Sequence, residues 1–132
     1  DLWFAQYSAM ADLLEKHLLW YVAADPMLAS HVAGRLWDVL HRCDQIAYDD
    51  PGVAEAYVAL HFLDRYRRFQ VVSRTLIERG LLPFRGPGFR GRGIDILDIG
   101  TGPGPALYSL SDTYALLSRC GAEARVPALE SI

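Results

Sequence analysis

The sequence predicts a mainly α-helical chain followed by one strand–turn–helix unit, and three observations support this prediction. Over residues 1–82, apolar side chains recur at steps of three and four, which is the spacing of one helix face. Residues 83–93 contain too many glycines and prolines for regular structure. Residues 94–132 begin with an apolar run, a glycine-rich turn and another helical pattern. We therefore predict a helical domain, a Gly/Pro/Arg linker and a third segment with these boundaries.

The first two helices are predicted from an apolar stripe and a start signal. The stripe joins six residues of the first helix: Trp3, Tyr7, Met10, Leu14, Leu18 and Tyr21. Asp25 and Pro26 are typical of an N-cap followed by proline in the first helical turn, so the second helix should run from about Pro26 to Asp44. Tryptophan rings bury a large apolar surface. We therefore expect all three to lie in the core between the helices: Trp3, Trp20 and Trp37.

The third helix has the same kind of start signal and a glycine stop. Asp50 and Pro51 repeat the aspartate–proline pair, and Gly80 is typical of a helix C-terminus. A single helix of about thirty residues is longer than most helices in globular proteins. We therefore expect a break near Asp64 or Ser73.

Composition limits the class of protein. The chain has 132 residues, of which 52% are hydrophobic, so it can bury a core and a disordered chain is excluded. Its apolar runs are too short to span a membrane, and its first residues do not resemble a secretory signal. Cys43 and Cys120 lie far apart and form no metal-binding pair. We expect a cytoplasmic protein with reduced thiols.

Charge is distributed unevenly along the chain. Residues 1–64 carry three basic and ten acidic side chains, whereas residues 65–92 carry eight arginines and one glutamate. Two interpretations of this arginine-rich segment are open. It could bind RNA phosphates through five helical arginines, with Tyr66 and Phe69 stacking on bases. Alternatively it is a solvated helix face whose arginines pair with acidic neighbours while the aromatic rings fill the core, and we favour this second interpretation. The five arginines are Arg65, Arg67, Arg68, Arg74 and Arg79.

The most informative motif is the ten-residue sequence DILDIGTGPG at residues 95–104. Glycine permits a sharp turn after the predicted strand, and its missing side chain lets a ligand lie against the main chain. The first amides of the following helix then offer hydrogen-bond donors. Pro105 suits that first helical turn. The pattern therefore predicts a small-molecule site.

Three ligand classes use such loops, and two of them do not fit. A triphosphate-binding loop requires a lysine after the glycines, and none is present. A dinucleotide-binding loop prefers a third glycine at the position of Pro105. What remains is the spacing D-x-G-x-G-x-G, formed by Asp98 and the three loop glycines. With the apolar residues before it, this pattern resembles motif I of the class I S-adenosylmethionine-dependent methyltransferases.

The resemblance implies a fold, a cofactor and a set of binding residues. The fold would be α/β, with residues 94–132 forming the first β-α unit of an incomplete Rossmann-like domain. The cofactor would be S-adenosyl-L-methionine, with its amino group held by Asp98 and its methionine half wrapped by the loop. The implied binding residues are Asp98, Gly100, Thr101, Gly102 and Gly104. Later family motifs have no counterpart here, so we expect the parent protein to be a methyltransferase and this chain to be an inactive N-terminal fragment.

The sequence is also compatible with functions other than methyl transfer. The alternative is a non-catalytic helical module that binds RNA or a protein partner through its arginine-rich segment, and the N-terminal helices could also form a homo-oligomer. The four histidines show no spacing typical of a metal site, so we expect none. They are His17, His31, His41 and His61. The methyl acceptor and the catalytic residues are not assigned.

Overall fold

A computed structural model describes residues 2–82, 96–100 and 102–120. It contains four α-helices: α1 (Leu2–Ala24), α2 (Pro26–Arg42), α3 (Val53–Glu78) and α4 (Pro105–Cys120). A short 3₁₀ turn, Cys43–Gln45, follows α2. α3 is continuous, so the break expected near Asp64 or Ser73 is absent.

The predicted α/β fold class is wrong, because the described residues form an all-α structure without a strand. Residues 96–98 have no regular structure, and a turn follows them. A strand is stabilised by backbone hydrogen bonds to a neighbour, and the described part of the chain offers none. Leu97 and Ile99 are 85% and 86% exposed, whereas the predicted strand required them to be buried. The structure therefore contains no Rossmann-like β-α unit within its described residues.

The helix ends follow the local signals that the sequence contains. Asp25 is the N-cap of α2: its Oδ1 accepts hydrogen bonds from the amides of Met27 and Leu28, at 2.9 and 3.1 Å. Beyond α3, the amide of Gly80 donates to the carbonyl of Ile77, and Gly80 has a φ of 70°. The predicted start of α3 is displaced by two residues, because residues 51 and 52 form a turn before the helix begins.

The chain divides into two compact units. One is Phe4–Asp64, and the other contains the residues from Arg65 onward together with the first three. The first unit has an apolar core of Val39, Val53 and Ala56. Five partly buried residues pack against this core: Val32, Leu36, Ile46, Tyr57 and Leu60. The boundaries predicted around the linker at residues 83–93 stay a prediction, since that linker lies outside the described residues.

Two of the three tryptophans are not in the core. Trp20 is 65% exposed and Trp37 is 68% exposed, which contradicts the expected burial. α1 as a whole contains no buried residue, although apolar side chains dominate it. Among the described helices, none combines the length and the apolar character that a membrane span requires.

Candidate functional site

The glycine-rich loop has the backbone geometry that its sequence predicts. Gly100, Gly102 and Gly104 have φ values of 75°, 55° and 79°. Residues with a side chain rarely adopt this left-handed conformation, so glycine is required at all three positions. Thr101, the remaining predicted loop residue, lies outside the described residues.

The loop leads directly into the N-terminus of α4. The carbonyl of Gly104 accepts a hydrogen bond from the amide of Tyr108 at 3.1 Å, so Gly104 occupies the N-cap position. Pro105 is the first residue of α4, as predicted. The first amides of a helix lack partners within the helix and carry a partial positive charge. The end of the loop therefore offers hydrogen-bond donors to an anionic or polar ligand group.

Asp98 supplies the opposite charge next to this loop. Its side chain is partly buried, and its Oδ2 atom is inaccessible to solvent without a hydrogen-bond partner among the described residues. A carboxylate oxygen in this state is costly unless a cation or a donor reaches it. An ammonium group is the kind of partner that would satisfy this oxygen, and it would have to displace the groups that now shield the atom from solvent.

The space beside two of the loop glycines is open, whereas Gly104 at the end of the loop is buried. A Cβ atom built on Gly100 or on Gly102 would meet no other atom within 4 Å. No protein group in the described part of the chain therefore fills the space beside these two Cα atoms. The described part of the chain therefore leaves room for a ligand beside Gly100 and Gly102.

A buried polar contact fixes α4 against α3. The hydroxyl of Tyr66 donates a 2.6 Å hydrogen bond to Oδ2 of Asp112, and Tyr66 is fully buried. Burial, followed by this hydrogen bond, raises the pKa of Tyr66. Ser109 and Thr113 of α4 are also fully buried, and their hydroxyl oxygens have no partner among the described residues. The hydrogen bond between Tyr66 and Asp112 thus holds α4, the helix that follows the loop, against α3. We call these buried polar residues of α3 and α4 the polar seam.

The polar seam was not predicted from the sequence. Tyr66 was expected either to stack on a base or to fill the apolar core, and Asp112 had no predicted role. A signal was present, because Tyr66, Gln70 and Ser73 follow the spacing of one helix face and are all buried. Polar residues at core spacing on two helices indicate such a seam.

The predicted RNA-binding residues are only partly brought together. Arg65 and Arg68 lie three residues apart on one side of α3, whereas Arg67 and Arg74 lie seven apart on another side. Arg74 forms a 2.8 Å ion pair with Glu78, and Nη1 of Arg67 donates to Gln70.

Base stacking is restricted as well. Tyr66 is buried and unavailable to a base, while Phe69 is 38% exposed. Arg79 is exposed near the end of α3. The three arginines of the linker, at positions 85, 90 and 92, lie outside the described residues. RNA binding stays a prediction.

The histidines do not form a metal site within the described residues, where no group of three potential ligands occurs. His61 lies with its ring 5.0 Å from that of Tyr57, and its Nε2 atom is buried without a partner in that part of the chain. His41 packs on Trp37 with ring centroids 3.9 Å apart. Aromatic packing accounts for the positions of these two side chains.

Comparison with known proteins found no match to a family model, to a curated sequence or to a solved structure. The function must therefore be inferred from the residues of this chain.

Proposed function

We propose that this chain binds the methionine end of S-adenosylmethionine as part of a parent protein that catalyses methyl transfer. The observation that carries the proposal is a combination at residues 98–104. A buried carboxylate oxygen that has no partner among the described residues is followed by three left-handed glycines and a helix N-terminus. An amino acid zwitterion has the complementary pair of charges, since its ammonium suits Asp98 and its carboxylate suits the helix amides.

The proposed site consists of a loop and a helix terminus. Both bind through main-chain amides and one side chain, so the site does not depend on a preceding strand. Thr101 joins the site by its position between two of the glycines. The resemblance of the loop to motif I supports the choice of S-adenosylmethionine over another amino acid.

The chemistry would be a nucleophilic displacement. When bound, the cofactor supplies a methyl group on a sulfonium, which leaves as a neutral thioether. The role of these residues would be to orient the cofactor, because an in-line displacement depends on alignment of the attacking atom with the breaking bond. Asp98 would fix the amino group, and the amides of α4 would fix the carboxylate.

Calorimetric titration with S-adenosylhomocysteine tests the proposal. We expect saturable binding by the unmodified chain and about tenfold weaker binding by Asp98→Asn, because the amide cannot form the charge-assisted hydrogen bond. Gly102→Arg should abolish binding by placing a side chain over the loop. Absence of binding to the unmodified protein would rule out the proposal.

Matched variants separate loss of binding from loss of folding. Gly80→Arg introduces the same side chain at another left-handed glycine with open space around it, outside the loop. Asp12→Asn neutralises an exposed carboxylate on α1. Both controls should bind S-adenosylhomocysteine as the unmodified chain does. Equal loss of affinity in Gly80→Arg and Gly102→Arg would contradict a specific role of the loop.

A further inference from the structure

A cavity of about 310 Å³ lies between α1 and α3 in the Phe4–Asp64 unit. α1 contributes four side chains that follow one helix face: Leu14, His17, Leu18 and Tyr21. α3 contributes Ala54, Glu55 and Val58 from its first turns. Small-molecule sites in proteins begin at about this volume. The cavity is therefore large enough for a compact ligand.

The walls of the cavity are almost wholly apolar, and among the described residues that line it the acidic or imidazole side chains are Glu55 and His17. Glu55 is partly buried and has no ion pair or hydrogen bond to another described side chain. The described residues that line the cavity include no lysine or arginine. The surrounding residues 4–64 also carry nine acidic and only three basic side chains. Both the local and the regional charge thus favour a cation.

We propose that this cavity binds a small primary amine with an apolar body. The body would replace water against Leu14, Leu18 and Val58, and burial of apolar surface would supply most of the affinity. The ammonium would lie beside the Glu55 carboxylate at the edge, where it keeps part of its hydration. A ligand that carries a carboxylate would face repulsion from Glu55.

This site is independent of the proposed cofactor site. It lies within residues 14–58, and none of the glycine-loop residues or Asp98 belongs to it. Failure of S-adenosylhomocysteine to bind would leave this inference unaffected. Failure of the amine to bind would likewise leave the cofactor proposal intact.

The test compares 2-phenylethylamine with 2-phenylethanol, which has the same apolar body and a neutral hydroxyl group. Each compound is titrated with the full chain, and ligand-observed NMR measures its binding. We expect both compounds to bind, and the amine to bind about threefold to fivefold more tightly. Glu55→Gln should remove this preference, whereas Glu15→Gln, on an exposed position of α1, should keep it. Equal affinity for the two compounds in the unmodified chain would overturn the proposal.

A second pair of variants tests the location. Ala54→Leu adds volume at an exposed position of the cavity wall. It should weaken the binding of both compounds at least tenfold without affecting folding. Ala59→Leu adds the same volume at an exposed position of α3 that does not line the cavity, and it should leave binding unchanged. Circular dichroism confirms that both variants are folded. Unchanged amine binding in Ala54→Leu would overturn the assignment to this cavity.

Discussion

Gly52 and Gly80 have nearly the same backbone conformation but different surroundings. Their φ values are 80° and 70°. A Cβ atom on Gly52 would lie 2.6 Å from the carbonyl carbon of His31 and from the amide nitrogen of Val32. A Cβ atom on Gly80 would meet nothing within 4 Å. The turn before α3 thus packs directly on the backbone of α2, and only glycine allows this approach.

We predict that Gly52→Ala destabilises the protein far more than Gly80→Ala does. Gly80→Ala carries only the cost of a left-handed backbone, about 1 kcal/mol. Gly52→Ala adds a clash with backbone that cannot move aside, so we expect a loss of about 3 kcal/mol or more. Urea unfolding of both variants measures the difference. Equal losses would mean that the turn before α3 does not pack on α2.

The residues of the candidate site differ in how far the sequence could predict them. The left-handed loop glycines were predictable, because the alternating spacing is a local property of the chain. The pairing of Tyr66 with Asp112 was not, because these residues are 46 positions apart and only the packing of α3 on α4 brings them together. Nothing in the spacing of one helix identifies the partner on another.

Among the elements, two helix starts were predicted correctly from a local signal. α2 begins at Pro26 and α4 at Pro105, each directly after a residue that can act as an N-cap. The start of α3 was predicted two residues too early. The carbonyl of Gly52 accepts the first hydrogen bond of α3, from the amide of Ala56. Gly52 is needed at the turn, and it therefore takes the capping position that was predicted for Asp50. Tertiary packing thus overrides the local signal there.

We predict that Asp25→Ala lowers the free energy of unfolding by about 1 kcal/mol. The substitution removes the carboxylate that accepts hydrogen bonds from Met27 and Leu28 and leaves their amides to water. Asp25→Ser should recover most of the loss, because serine also accepts such bonds. Asp12→Ala, at an exposed position within α1, is the control and should change stability by less than about 0.5 kcal/mol. Urea unfolding provides the values, and a neutral effect of Asp25→Ala would contradict the capping role.

The predicted strand is an element that one segment of sequence cannot establish. A helix forms its backbone hydrogen bonds within one segment, whereas a strand requires a second segment. The apolar residues at 96, 97 and 99 fit a buried strand by composition. The described residues provide no partner for them, and they adopt no regular structure. The pattern was correct for the turn and wrong for the element before it.

On the scale of the whole molecule, apolar surface remains uncovered. Large apolar side chains of α1 and α2 are more than half exposed, among them Leu19, Trp20, Met27 and Trp37. Where such side chains form one contiguous patch, the patch is typical of a surface that contacts a partner. The predicted homo-oligomer through the N-terminal helices would cover such a surface, and it stays a prediction.

The free energy of unfolding of the whole chain should depend on pH in the alkaline range, because the chain contains two buried tyrosines. Burial raises the pKa of both Tyr66 and Tyr114, and in Tyr66 the hydrogen bond to Asp112 adds to the effect. An unfolded tyrosine titrates near pH 10. The unfolded chain therefore loses these protons before the folded chain does. The stabilising contribution is fully present below about pH 10 and is lost as the pH rises above it.

We therefore predict that the cost of Tyr66→Phe depends on pH. At pH 7 the variant should lose about 1.5 kcal/mol, because the hydrogen bond to Asp112 disappears. At pH 11 the difference from the unmodified chain should shrink by about 1 kcal/mol, since phenylalanine does not titrate in the unfolded state. Urea unfolding at the two pH values measures this change. Tyr108→Phe, at a position that is 51% exposed, is the control and should show no such dependence. A cost of Tyr66→Phe that stays constant from pH 7 to pH 11 would mean that Tyr66 is not held as a buried, neutral donor against α4.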